Sequence, residues 1–135
     1  VKVLAIKNNS IEGPGILNGI LLEREIKCDT VDLERGDTIP SISAYSAVFM
    51  LGGPDSANDR TKKMQDEVTL VREILRSGIP YFGICLGMQV LVRAAGGRVT
   101  RCAKREIGWR NEEGAYHCIQ VTDTGRNDAL FKGLP

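Results

Sequence analysis

Residues 83–87 read Gly-Ile-Cys-Leu-Gly, with the apolar run Ile79–Phe82 before them and Met88–Val92 after. A cysteine between two glycines, at the junction of two apolar runs, suits a nucleophile raised on a sharp strand-to-helix turn. Gly83 and Gly87 would leave the turn unobstructed, and Cys85 would stand at the amino end of the following helix. Unpaired N–H groups and the helix dipole there favour thiolate over thiol. The N–H of Leu86 is placed to bind an oxyanion, a donor whose removal typically costs roughly a hundred- to a thousand-fold in rate. The plainer reading makes Cys85 a small apolar residue framed by glycines for close helix–strand packing, and the pattern alone leaves both open. Cys28, Cys102 and Cys118 lack such a frame and read as packing residues with free thiols.

A second glycine-bearing stretch is MLGGPDSAND (50–59). Gly52 and Gly53 followed by proline let a backbone N–H approach a ligand without a side chain in the way. An ordinary turn after a strand is the bland account. The two stretches together are more specific than either alone, because both fall at the ends of predicted strands.

The elements that must position them follow from periodicity. VKVLAI (1–6), CDTVDL (28–33), AVFMLGG (47–53) and IPYFGI (79–84) are short, apolar and β-branched, and predict buried strands. Ile16, Leu17, Ile20, Leu21 and Leu22 predict a helix over 14–26, with Pro14 in its first turn. Met64, Val68, Val71, Ile74 and Leu75 predict an apolar face on a helix over 61–78, stopped by Ser77-Gly78. LGMQVLVRAA (86–95) predicts the helix behind the cysteine, and RVTRC (98–102) and AYHCIQV (115–121) two later strands. Strands alternating with helices predict an α/β fold, a doubly wound, mostly parallel sheet with helices on both faces, of flavodoxin-like architecture. In such sheets ligands gather at the carboxyl ends of the strands.

Composition narrows the function. The 135 residues suit one domain, and a net charge of +1 makes no electrostatic case for nucleic acid or membrane binding. The apolar runs are far shorter than the roughly 20 residues of a membrane span, and no signal peptide is evident, so a cytoplasmic location is expected. One histidine and no Cys-x-x-Cys pair give no zinc ligand set, so no metal and no cofactor are expected. IEGPG (11–15) lacks the third glycine of a dinucleotide loop and reads as a strand-to-helix turn. Arg98, Arg101, Lys104 and Arg105 read as a solvated basic face, with docking of a synthetase partner as the sharper alternative. Trp109 reads as a packing anchor.

LGGPDSA, GIPYFGICLGMQVLVRAAGGRV and REIGW, in that order, resemble the class I (triad-type) glutamine amidotransferases. EGPGIL and ALFKGLP resemble its stand-alone members related to the glutaminase part of GMP synthase. The resemblance runs over the whole chain and implies one glutaminase domain over 1–135. It implies that Cys85 attacks the side-chain amide of glutamine, forming a γ-glutamyl thioester and releasing ammonia to a synthetase domain or partner. It further implies an oxyanion hole at Gly53 and Leu86, and a glutamine pocket shaped by Gly52, Gly53 and Gln89. The family's base comes from a His-x-Glu pair beyond the LFKGLP segment. The only histidine here is His117, followed by Cys118 and Ile119; it reads as a half-buried strand residue and is left out of the site. The domain is therefore expected to be incomplete at its C-terminus, and the 135-residue chain to have little or no activity. Two alternatives stand beside this one: hydrolysis of another γ-glutamyl amide, and a degenerate module that binds glutamine without turning it over.

Overall fold

The computed structural model describes residues 1–103 and 108–133, and its backbone falls into two compact units, Val1–Thr100 and Arg101–Pro135. The first unit carries the sheet. Strand β1 (Lys2–Lys7) leads to helix α1 (Ile16–Glu23), β2 (Lys27–Asp32), a 3-10 turn at Ile42–Ala44 and β3 (Ala47–Met50). Helix α2 (Lys62–Ser77), β4 (Tyr81–Gly83) and helix α3 (Leu86–Ala94) complete it. All four strands are parallel, in the order β2-β1-β3-β4. The register sets Ile6 against Met50 and Met50 against Gly83, so the carboxyl ends of β1, β3 and β4 lie side by side.

Right-handed crossovers fix the layers. β1 to β2 runs one way across the sheet and β3 to β4 the other, which puts α1 and α2 on opposite faces. α3 packs against α2. Between these two helices and the sheet lie Leu4, Ile6, Val48, Met50, Met64, Val68, Val71, Ile74, Leu86 and Val90, all buried. Val3 and Ala5, pointing to the other face of β1, are buried as well. Burial on both sides is why β1 reads as an unbroken apolar run. The doubly wound parallel sheet is the architecture that the alternating pattern predicts.

α2 forms as its sequence dictates. The Thr61 hydroxyl accepts from the Met64 N–H at 3.3 Å, and Gly78, at φ 71°, ends the helix in the left-handed conformation. On its apolar face Leu75 is 45% exposed and Leu70 is buried in its stead, because Leu75 sits at the margin of the helix stripe. α1 is shorter than the predicted 14–26. Gly15 caps it at φ 54°, leaving Pro14 one residue outside, and Glu25 at φ 54° turns the chain away after Arg24. Only Leu21 of α1 is buried, since the helix rests on β2 with no neighbour on its outer side among the described residues.

In the second unit the described residues form a four-residue helix α4 (Asp123–Arg126), a 3-10 turn at Ala129–Phe131 and one isolated antiparallel bridge between Arg110 and Tyr116. Neither RVTRC nor AYHCIQV is a strand. None of the described residues of this unit is buried: Trp109 is 86% exposed rather than a packing anchor, His117 is exposed rather than half-buried, and Cys102 and Cys118 are exposed rather than packed. So short a segment has too little apolar chain to enclose a core of its own, and apolar residues without a layer to pack on stay at the surface. Lys104, Arg105, Glu106 and Ile107, and with them parts of the basic run and of REIGW, lie outside the described residues, as do Leu134 and Pro135.

Candidate functional site

Cys85 has φ 52° and ψ −108°, a conformation side chains rarely adopt. Such backbone costs on the order of 1–3 kcal/mol and persists only where the surroundings over-determine it. Here they do. The Ile84 N–H donates to the Met50 carbonyl at 2.9 Å, tying the turn to β3. The Gly87 N–H donates to the Ile84 carbonyl at 2.9 Å and the Gln89 N–H to the Cys85 carbonyl at 3.1 Å, closing the first turn of α3 around the cysteine. From β4 the Tyr81 hydroxyl donates to the Gly87 carbonyl at 2.8 Å.

The flanking glycines are required by contact. A Cβ on Gly83 would stand 2.5 Å from the Gly87 carbonyl carbon and 2.6 Å from the Met88 nitrogen, and one on Gly87 would collide with the Met50 carbonyl. Both glycines keep negative φ; their service is closeness, which brings strand and helix together at the bend. Cys85 is exposed at the amino end of α3, while Leu86 directs its side chain into the core. The thiol is therefore presented, not sealed.

Opposite it stand the two glycines after β3. A Cβ on Gly52 would be 3.4 Å from the Cys85 Cβ and 3.9 Å from its Sγ; one on Gly53 would be 3.3 Å from a Leu86 methyl. The structure thus gathers Gly52, Gly53, Cys85 and Leu86 into one place. Among the described residues, neither the Gly53 N–H nor the Leu86 N–H donates to another protein group. Gln89, half-buried, is one helical turn beyond Cys85 and shares its side of α3.

Several residues that hold this arrangement escaped sequence reasoning. Asn8, buried at the end of β1, lies against Gly53 and donates through Nδ2 to the Leu51 carbonyl at 3.2 Å. Lys63, at the start of α2, donates to the Asn8 carbonyl at 3.2 Å and pairs with Asp55 at 2.7 Å, bracing the Gly53 loop from outside. Glu67, one turn further along α2, is fully buried, and neither of its oxygens has a hydrogen-bond partner. Burial pushes its carboxyl up to about 7. Burial likewise raises the Tyr81 phenol, so its proton stays available for the Gly87 carbonyl. Glu12 brings its carboxylate to the mouth of the site, 3.5 Å from where a Gly52 Cβ would be. A glutamate in a helix of apolar spacing was the one available signal for Glu67; nothing in IEGPG marked Glu12.

Of the remaining cysteines, Cys28 is half-buried in β2, and burial raises its thiol. No group of three or more acidic, histidine or cysteine side chains among the described residues could hold a metal ion. No helix among them is long and apolar enough to cross a membrane.

Comparison with known proteins shows the family of the chain. Residues 17–135 match the family described as glutamine amidotransferase class-I. The chain is 36% identical over 90 residues to the glutamine-hydrolyzing GMP synthase of Thermosipho melanesiensis, covering 67% of this chain and 14% of that protein. Identity to the corresponding enzyme of Tropheryma whipplei is 43% over 104 residues, covering 71% of this chain and 17% of that one. A crystal structure of a glutamine amido transferase from Methylobacillus flagellatus superposes with a TM-score of 0.76 at 36% identity, over 81% of this chain and 44% of the other. This chain therefore spans under half of that structure and about a seventh of the Thermosipho enzyme.

Proposed function

The chain belongs to the class I glutamine amidotransferase family, and on that premise we propose that Cys85 hydrolyses the side-chain amide of glutamine to supply ammonia to a synthetase domain or subunit. The thiolate adds to the amide carbon, and the oxyanion that forms is held by the N–H groups of Gly53 and Leu86. Collapse of the tetrahedral species releases ammonia and leaves a γ-glutamyl thioester, which water then cleaves to glutamate. Gly52 and Gly53 wall the pocket, and the Gln89 side chain helps hold the bound glutamine. The observation that carries this reading is the strained, exposed Cys85 facing Gly52, with two N–H groups free beside it.

Acylation needs a base to take the thiol proton and deliver one to the departing amine. His117, the chain's only histidine, is exposed in the second unit, where its N–H donates to the Trp109 carbonyl at 3.2 Å. The 135 residues are therefore expected to bind glutamine and turn it over little or not at all. The same observation favours, as second reading, a module that binds glutamine without catalysis.

Ammonia release from glutamine, by the protein as its reading frame encodes it, tests the proposal. Release abolished by Cys85→Ala supports it; release indifferent to Cys85→Ala overturns it. Glutamine binding without any release would favour the second reading.

A further inference from the structure

The mouth of the site carries a carboxylate that its chemistry does not explain. Glu12 Oε2 lies 3.5 Å, and the Cys85 Sγ 3.9 Å, from the same point beside Gly52. A thiolate and a developing oxyanion both suffer from a neighbouring negative charge. Glu12 has no cationic partner among the described residues. The nearby Lys7 is engaged with the Ser10 carbonyl and Asp32, and Lys63 with Asp55. The backbone that carries Glu12 is held in place. Its loop is a turn closed by the Glu12 N–H on the Asn9 carbonyl at 3.2 Å and the Ile11 N–H on Asn9 Oδ1 at 3.1 Å. Ser10 anchors that turn to the end of β2, its hydroxyl on Asp32 at 3.1 Å and its N–H on Glu34 at 2.5 Å.

An exposed, unpaired anion beside a site that must itself become anionic calls for a cation on the ligand. We propose that Glu12 is a specificity residue that accepts the α-ammonium group of the substrate, so that the site takes γ-amides of free glutamate and not peptide-bound or N-acylated glutamine. This rests on the reading of Cys85 as the nucleophile of a glutamine site. The reach is suitable: an extended glutamine side chain spans about 5 Å from amide carbon to α-nitrogen, enough to meet Sγ with one end and Glu12 with the other. The departing amide nitrogen is the other candidate cation, and the test separates the two.

The probe is a chloromethyl ketone analogue of glutamine, in which the CH2Cl group replaces the amide NH2. The Cys85 thiolate displaces chloride, forming a C–S bond as the C–Cl bond breaks, and no amide nitrogen is present to confuse the result. Labelling rates of Cys85 are measured for this analogue and for its N-acetyl form, in the 135-residue chain and in Glu12→Gln, with Cys102 as internal reference. Losing one charge-assisted hydrogen bond corresponds to roughly a 10- to 100-fold change. The wild-type chain should therefore prefer the free amine by about that factor, and Glu12→Gln should reduce the preference to within about threefold. Wild-type preference that survives Glu12→Gln, or no preference in either protein, overturns the role of Glu12 while leaving Cys85 as nucleophile. Labelling of Cys85 no faster than of Cys102 by either analogue overturns the glutamine site and the Glu12 assignment together.

Discussion

Replacing Gly83 by alanine puts the elbow to its hardest test. The new methyl would sit 2.5 Å from the Gly87 carbonyl carbon and 2.6 Å from both the Gly87 oxygen and the Met88 nitrogen, all of it backbone in the first turn of α3. Ordinary contact begins near 3.4 Å, so α3 must retreat from β4 by about 1 Å. Backbone cannot swing aside as a side chain would, and the cost belongs at the upper part of the overpacking range, about 2–3 kcal/mol. With a urea m-value of about 1.5 kcal/mol/M, the unfolding midpoint should fall by roughly 1.3–2 M. The retreat also carries the Cys85 backbone away from Gly52, and Cys85 should lose its lead over Cys102 in iodoacetamide labelling. Gly19→Ala is the matched control. That glycine lies inside α1 with nothing within 4 Å of an added methyl, so the same change should stabilise by about 0.4–1 kcal/mol. A Gly83→Ala protein with an unchanged midpoint would refute the close approach of strand and helix on which the site is built.

Glu67 gives the chain a pH dependence of known sign. Its folded carboxyl titrates at about 7 against an ordinary 4.5, so its contribution is fully present below about 4.5 and lost as the pH rises to 7. The loss is at most about 3 kcal/mol. Urea titrations should show Glu67→Gln gaining on the wild type across that window, and parallel curves would refute the burial of an unpaired carboxyl. Tyr81→Phe removes the hydroxyl bond to the Gly87 carbonyl and should cost about 1 kcal/mol, measurable in the same titrations; no change would show that the bond does not hold the turn. Under limiting iodoacetamide, peptide mapping should find Cys85 labelled first and half-buried Cys28 last. Equal labelling of Cys85 and Cys102 would count against a primed thiolate.

The sequence by itself determined the sheet and the bend at Cys85. Unbroken apolar strands such as VLAI can be satisfied only by cover on both faces, and the glycine spacing around Cys85 has few uses other than a sharp bend; both are local patterns with local physical causes. α2 was legible for the same reason, with its apolar stripe and its terminal glycine. What the periodicity of α1 and of the AYHCIQV segment could not tell is whether a layer would be present to receive them. An apolar residue is buried only if another element covers it, and Ile16, Leu22, Trp109 and Ile119 have no such cover among the described residues. Tertiary structure alone decided the rest of the site. Asn8 lies against Gly53 from the end of β1, Lys63 reaches Asn8 and Asp55 from α2, and the Glu12 carboxylate and Cys85, 73 positions apart in sequence, both come up to Gly52. Parallel pairing of β1, β3 and β4 brings those three strand ends together, and no spacing along the chain encodes a proximity that exists only once the strands lie side by side.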